Sequence, residues 1–123
     1  MRTKDGSTFH LPAILLIDDD GPTLELYAGV LSNDYEVFTC SHQQDAVGIL
    51  SSQALQLVVL EPAVAGYQGW GFLEEITKTY KVPVVVCSAL DERRSGIEAG
   101  AIAYLVKPVL PSTLLEVLRS LLS

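Results

Sequence analysis

The sequence predicts a three-layer α/β sandwich, with a five-stranded parallel sheet of order 2-1-3-4-5 covered by helices on both faces. Three observations carry this. Short apolar runs alternate with helix-period patterns five times along 123 residues, the rhythm of strand–helix–strand crossovers. The runs Ala13 to Ile17 and Pro83 to Cys87 have no charged residue, as strands buried on both faces require. The length suits one ordinary domain and is too short for an eight-unit barrel.

The elements follow in order. Residues 1–12 are polar and mixed and end in Pro12, which marks a leader, or a purification remnant, ahead of a domain at 13–123. After the first strand, Asp20 offers a helix N-cap and Pro22 suits an early helical position. Leu24, Tyr27, Ala28 and Leu31 form one helical stripe, and Ser32 to Asp34 end it. Tyr35 to Cys40 reads as a second strand with weaker alternation. Ser41 is expected to cap a second helix carrying Ala46, Ile49 and Leu50. Leu55 to Leu60 is the third strand, and a polar loop runs from Glu61 to Gly69. Phe72, Leu73 and Ile76 mark the third helix. A short polar helix covers about Asp91 to Ala99, and Ile102 to Val106 is the fifth strand. Pro111 opens the last helix, with Leu114, Val117, Leu118 and Leu121 on one face.

Composition narrows the function. Fifteen Asp and Glu against eight Lys and Arg give a formal charge of −7. An acidic chain without a basic stripe is a poor partner for nucleic acid or an anionic membrane surface. No apolar run approaches the length of a membrane span, and the start lacks the apolar stretch of a signal peptide. Two cysteines are too few for a disulfide scaffold. The expectation is a cytoplasmic globular domain.

In open α/β sheets, ligands bind beyond the carboxyl ends of the strands, at the switch in strand order. Chemically able residues stand at those ends. Strand one ends in Asp18-Asp19-Asp20, strand three in Glu61, strand four in Ser88, and strand five in Lys107-Pro108. Each has a plainer reading: a cap and solvated loop, a loop carboxylate, a helix cap, a surface lysine. Their joint occurrence on one rim points further. Clustered carboxylates suit a hard cation such as Mg²⁺, with water completing the shell. A lysine and a hydroxyl beside it suit a phosphoryl group. Strands three and five lie two spacings apart, about 10 Å, which two side chains can close across Ser88.

This ordered set resembles the receiver domain of bacterial two-component response regulators, over about residues 13 to 123. The carriers are Ile14 to Asp20, Leu57 to Pro62, Gly69, Pro83 to Ala89, Ala99 to Ala101 and Tyr104 to Pro108. The resemblance implies a flavodoxin-like fold, a role in phosphorelay signalling and no enzymatic turnover of its own. It implies that Asp18 and Asp19, with Glu61, are the Mg²⁺ ligands. Ser88 would contact the phosphoryl group, Lys107 would be the family's lysine, and Pro108 often follows it through a cis bond. Tyr104 would be the aromatic switch residue, acting with Ser88, and Gly69 the loop glycine. The implied partners are a sensor histidine kinase or phosphotransfer protein, and an effector or second copy on the helix 4–strand 5–helix 5 face.

The chain departs from the family where it matters most. The family's phosphoacceptor is an aspartate at the end of strand three; here Glu61 stands there. One added methylene displaces the attacking oxygen, and small misplacements cost orders of magnitude in phosphoryl transfer. Val64-Ala65 replace the usual Met-Pro, and Gln68 replaces an acidic residue before the glycine. Only eighteen residues separate Ser88 from Lys107, about one turn fewer than the family pattern. The leading reading is therefore a degenerate receiver that acts by partner binding. The alternatives are a conventional receiver that uses Glu61 weakly, and a small enzyme or ligand binder on the same fold, either phosphatase-like, with Asp18 as the nucleophile, or flavodoxin-like and flavin-binding. A purely structural docking module is a third. The second of these is disfavoured: there is no insert to cap a phosphatase site, and the first turn lacks the hydroxyl- and glycine-rich loop of a flavin-binding protein.

Other residues read as structural. Cys40 and Cys87 fall on strands two and four, about 14 Å apart, beyond disulfide reach. His10 and His42 lack companions for a metal site. Trp70 is expected to pack between loop and helix. Leu115 and Leu122 read as core, with a partner contact as the alternative.

Overall fold

A computed structural model describes residues 10–123; most of the expected leader falls outside them. The elements are β1 (Ala13–Ile17), α1 (Gly21–Leu31), β2 (Glu36–Cys40), α2 (Gln43–Ser52), β3 (Leu57–Leu60), a 3-10 segment (Pro62–Gln68), α3 (Gly69–Lys78), β4 (Val84–Ser88), α4 (Arg93–Glu98), β5 (Ala103–Val106) and α5 (Pro111–Leu122). The strands form one parallel sheet in the expected order β2-β1-β3-β4-β5.

Alternation along the strands splits the core in two. Leu15, Ile17, Val58, Leu60, Val84 and Val86 face Ala46, Leu50, Phe72, Leu73 and Ile76 from α2 and α3. Ile14, Leu16, Leu57, Val59, Val85 and Cys87 face Leu24, Tyr27, Leu31, Leu114 and Leu118 from α1 and α5. Successive strand residues point to opposite faces, so apolar helices on both sides require an apolar residue at every position. Leu115 and Leu122 are half-buried against the α1–α5 core, as the core reading requires.

Helix starts follow local chemistry. The Asp20 carboxylate accepts the Thr23 N–H at 3.1 Å and its hydroxyl, with Pro22 in the first turn. These bonds favour the ionised form and hold the Asp20 carboxyl below its ordinary range. Pro111 opens α5 as expected.

Several boundaries differ from the sequence reading. His42, not Ser41, occupies the N-cap position of α2 without a side-chain cap; the Ser41 hydroxyl instead lies 3.1 Å from His42 Nδ1. β3 starts at Leu57, so Leu55 lies outside the strand while still packing on the core. Ser88 is the last residue of β4, not the first beyond it. Ile102 is exposed and precedes β5. Leu121 is exposed as well. α4 is only six residues long, in keeping with the short stretch between Ser88 and Lys107. Cys40 and Cys87 are free, buried thiols.

Candidate functional site

The sheet's backbone continues past its last paired residues and fixes the rim. Asp18 N–H donates to Cys40 O at 3.2 Å, Glu61 N–H to Ile17 O at 2.9 Å, and Lys107 N–H to Ser88 O at 2.7 Å. Each residue expected at a strand end is therefore anchored beside its neighbour before side chains are considered. The Lys107–Pro108 peptide bond is cis.

Asp18, Glu61 and Ser88 are the buried polar residues of this rim, 5%, 6% and 5% exposed. Lys107 joins the two carboxylates. Its Nζ lies 2.6 Å from Asp18 Oδ2 and 3.5 Å from Glu61 Oε1. Asp18 Oδ1 also accepts the Asp20 N–H at 3.0 Å. Burial raises the Asp18 carboxyl above its ordinary range, and the Lys107 hydrogen bond opposes that rise. Burial pulls the Lys107 amine down, but the bond and charge of Asp18 and the charge of Glu61 outweigh it and raise the amine above its ordinary range. The ammonium is thus held charged between two carboxylates, with the shorter contact to Asp18.

Glu61 is held more loosely. Its Oε2 accepts the Ala63 N–H at 3.3 Å and its Oε1 the Ala89 N–H at 3.4 Å. With Lys107 at 3.5 Å, all three contacts are longer than the roughly 2.7–2.9 Å of tight charge-assisted bonds. Ser88 Oγ accepts the Leu90 N–H at 3.2 Å, bracing the loop after β4.

Asp19 is exposed beside this group. Among the described residues, no three His, Cys, Asp or Glu side chains are arranged to hold a metal ion. The donor chemistry nonetheless suits Mg²⁺, which needs only one or two carboxylates when water fills the remaining positions. Asp18 and Asp19 are the pair at hand.

Tyr104 lies inward. Its hydroxyl donates to Leu90 O at 2.6 Å and accepts the Glu92 N–H at 3.1 Å. Trp70, on α3, packs against it with ring centroids 6.4 Å apart. This inward seat exists because α4 carries Gly96 here: a Cβ at that position would lie 2.7 Å from Tyr104 Cδ2. Sequence reasoning did not single out Gly96, because the α4–β5 contact is not encoded in local pattern. Gly69 has a related role. Its missing Cβ would meet Pro62 Cβ at 2.8 Å and Pro62 O at 2.9 Å, so glycine lets α3 start against the segment that carries Glu61.

A cavity of about 330 Å³ opens next to Glu61, lined by Pro62, Ala63, Tyr67, Trp70, Ser88, Ala89, Leu90 and Glu92 among others. Tyr67 is 95% exposed at its edge.

Comparison with known proteins agrees with this geometry. The response regulator receiver domain family matches residues 14–119. A protein named probable transcriptional regulator ycf27 from Porphyra purpurea is 34% identical over 113 residues, covering 89% of this chain and 46% of that protein. Transcriptional regulatory protein AfsQ1 from Streptomyces coelicolor is 30% identical over 103 residues, covering 80% of this chain and 46% of its own length. The chain thus spans about half the length of these curated relatives. Among solved structures, the BeF3-activated DrrB receiver domain superposes with a TM-score of 0.81 at 28% identity, covering 91% of this chain and 97% of that one. The response regulator DrrB of Thermotoga maritima gives a TM-score of 0.82 at 27% identity, over 91% and 52%.

Proposed function

This chain belongs to the response regulator receiver family, and from that premise we propose that it is a degenerate receiver, one that signals by binding partners without forming an acyl phosphate on Glu61. Receivers of two-component response regulators work with histidine kinases and effector domains; which of these this chain meets is part of the proposal.

One observation carries the reading: Glu61, directly after β3, is buried and faces Lys107 at 3.5 Å, and the family resemblance takes this position as that of the phosphoacceptor aspartate. Its carboxylate is already engaged with Lys107 and with the Ala63 and Ala89 amides. Those three donors are the groups that a phosphoryl at this rim would need. A side chain one methylene longer than aspartate fills that space itself and carries its own negative charge there. The inward Tyr104, bonded to Leu90 and Glu92, accompanies that charge. On this reading the fold holds a fixed signalling conformation. Asp18 and Asp19 would hold Mg²⁺ when it binds, supplying charge neutralisation beside Glu61.

The partner surface proposed is the α4–β5–α5 side. Ile97, Ile102 and Leu110 are exposed there, and the short α4 makes its outline differ from the family pattern. A kinase or phosphotransfer protein, an effector or a second copy would meet this face. Nucleic acid and membrane are not proposed as direct partners; no helix among the described residues is long and apolar enough to cross a membrane.

The test is phosphoryl uptake. Incubation with acetyl phosphate and Mg²⁺, read by Phos-tag mobility and intact mass, should leave the wild-type chain unmodified. Glu61→Asp should gain a phosphorylated species. Stoichiometric modification of the wild type on Glu61 would establish a conventional receiver instead.

A further inference from the structure

We propose that the cavity beside Glu61 is a binding site for a small aromatic amine, held by its ammonium group on Glu61 and by its ring between Trp70, Tyr67 and Leu90. The proposal rests on the reading of Glu61 as a permanent carboxylate and extends it to a ligand.

The size is appropriate for a compact molecule. A cavity of about 330 Å³ lies at the low end of the range of small-ligand pockets, and it takes a single ring with a short arm more readily than a nucleotide. Its walls are mostly apolar: Pro62, Ala63, Trp70, Ala89 and Leu90. Leu90 is 62% exposed and Tyr67 almost fully so. Two large side chains stand in water at the mouth of an apolar recess, where a bound ring would cover them.

The polar groups decide the sign of the charge. The charged residues lining the cavity are Glu61 and Glu92; Lys107 stands behind Glu61 at 3.5 Å and is shared with Asp18 at 2.6 Å, so this one ammonium is set against three carboxylates. Glu61 is more than nine-tenths buried. Its contacts, at 3.3, 3.4 and 3.5 Å, leave accepting capacity on a carboxylate that offers about four lone-pair sites. Glu92 sits at the N-cap position of α4 without bonding its own helix through its side chain, so its carboxylate is available at the rim. An anion would meet two carboxylates here. An ammonium would meet two carboxylates and the Ser88 hydroxyl beside the aromatic side chains of Trp70 and Tyr67, whose ring quadrupoles attract cations. Hydrogen bonds between ionised partners are about twice as strong as neutral ones, so charge on the ligand should dominate selectivity.

Trp70 is the single tryptophan of the chain, which gives a direct readout. The intact protein is titrated in metal-free buffer at neutral pH with benzylamine, its uncharged analogue benzyl alcohol, and Nα-acetyl-lysinamide as a stand-in for a peptide amine. Benzylamine should give a saturable change in Trp70 fluorescence. Its apparent Kd should be at least about tenfold lower than that of benzyl alcohol and lower than that of the lysine amide. Glu61→Gln should remove the preference for the charged ring. Ala89→Leu, which fills the cavity from an exposed loop position, should abolish the response while the circular dichroism spectrum stays unchanged. Equal binding of the alcohol and the amine, or an Ala89→Leu variant that still responds, overturns the site. Equal binding of the lysine amide overturns the aromatic assignment. Phosphoryl uptake by the wild type is scored separately and overturns the reading of Glu61 without altering these titrations.

Discussion

The substitution Gly96→Ala probes how Tyr104 is held. The added Cβ would fall 2.7 and 2.8 Å from Tyr104 Cδ2 and Cε2, and 3.4 Å from the Trp70 ring. Carbon atoms pack at about 3.5–4.0 Å, so the Tyr104 ring must retreat by about 1 Å. Its hydroxyl bonds, 2.6 Å to Leu90 O and 3.1 Å from Glu92 N, cannot both survive that movement. Overpacking of this kind costs about 1–3 kcal/mol, and each lost bond about 0.5–1.5 kcal/mol. Alanine regains about 1 kcal/mol over glycine in a helix. The net expectation is a destabilisation of roughly 1–4 kcal/mol, which for a domain of this size lowers Tm by about 4 °C per kcal/mol. Urea unfolding followed by Trp70 fluorescence measures it. In a Tyr104→Ala background the obstacle is gone, and Gly96→Ala should then stabilise by up to about 1 kcal/mol. A Gly96→Ala variant as stable as the wild type, or the same effect in both backgrounds, would refute the contact between α4 and the Tyr104 ring.

Two further outcomes are expected. Gly69→Ala places a methyl group against the Pro62 carbonyl at 2.9 Å, a backbone atom with little room to yield, so it should destabilise by about 1–3 kcal/mol; unchanged stability in the same urea assay would show that α3 does not start against Pro62. Burial pushes the Cys40 thiol up to about 11 and raises that of Cys87 as well. Neither should react quickly with a thiol reagent at pH 8 in the folded protein, and both should react in denaturant. Because the folded state prefers the protonated thiol, the contribution of Cys40 to stability is complete below the pKa of the unfolded thiol and fades as pH rises through about 9 to 11. Rapid labelling at pH 8, or stability that climbs over that interval, would count against burial of these groups.

Much of the fold was legible because buried parallel strands leave an unmistakable pattern. The runs around Ile14 to Ile17 and Val84 to Cys87 are apolar at every position since both faces meet helices. Asp20 was legible as a cap because its side chain and the Pro22 that follows act locally. Ser41 misled for the same reason: a good cap residue stands next to the position that α2 actually uses. Leu121 looked like core on periodicity, but of that face only Leu114 and Leu118 are fully buried, and in the last turn it is Leu122 that packs against the core.

The site was legible as a set of strand ends and not as a set of contacts. Asp18, Glu61, Ser88 and Lys107 come to one rim because strand termini in a parallel sheet share an edge. Which carboxylate Lys107 prefers is a matter of side-chain reach. The structure gives Asp18 the shorter contact, 2.6 Å against 3.5 Å. The Gly96 recess and the cavity bounded by Trp70 and Leu90 depend on how α3, α4 and the intervening loops pack. No spacing in the sequence specifies that.

On the proposed reading, Glu61 occupies the phosphoryl position instead of receiving a phosphoryl group there. The most direct measurement is a titration with Mg²⁺, then beryllofluoride at saturating Mg²⁺, followed by Trp70 fluorescence on the wild type and on Glu61→Asp. Mg²⁺ should perturb both proteins, and beryllofluoride should produce a saturable further change in Glu61→Asp alone. A saturable beryllofluoride response from the wild-type chain would contradict the account.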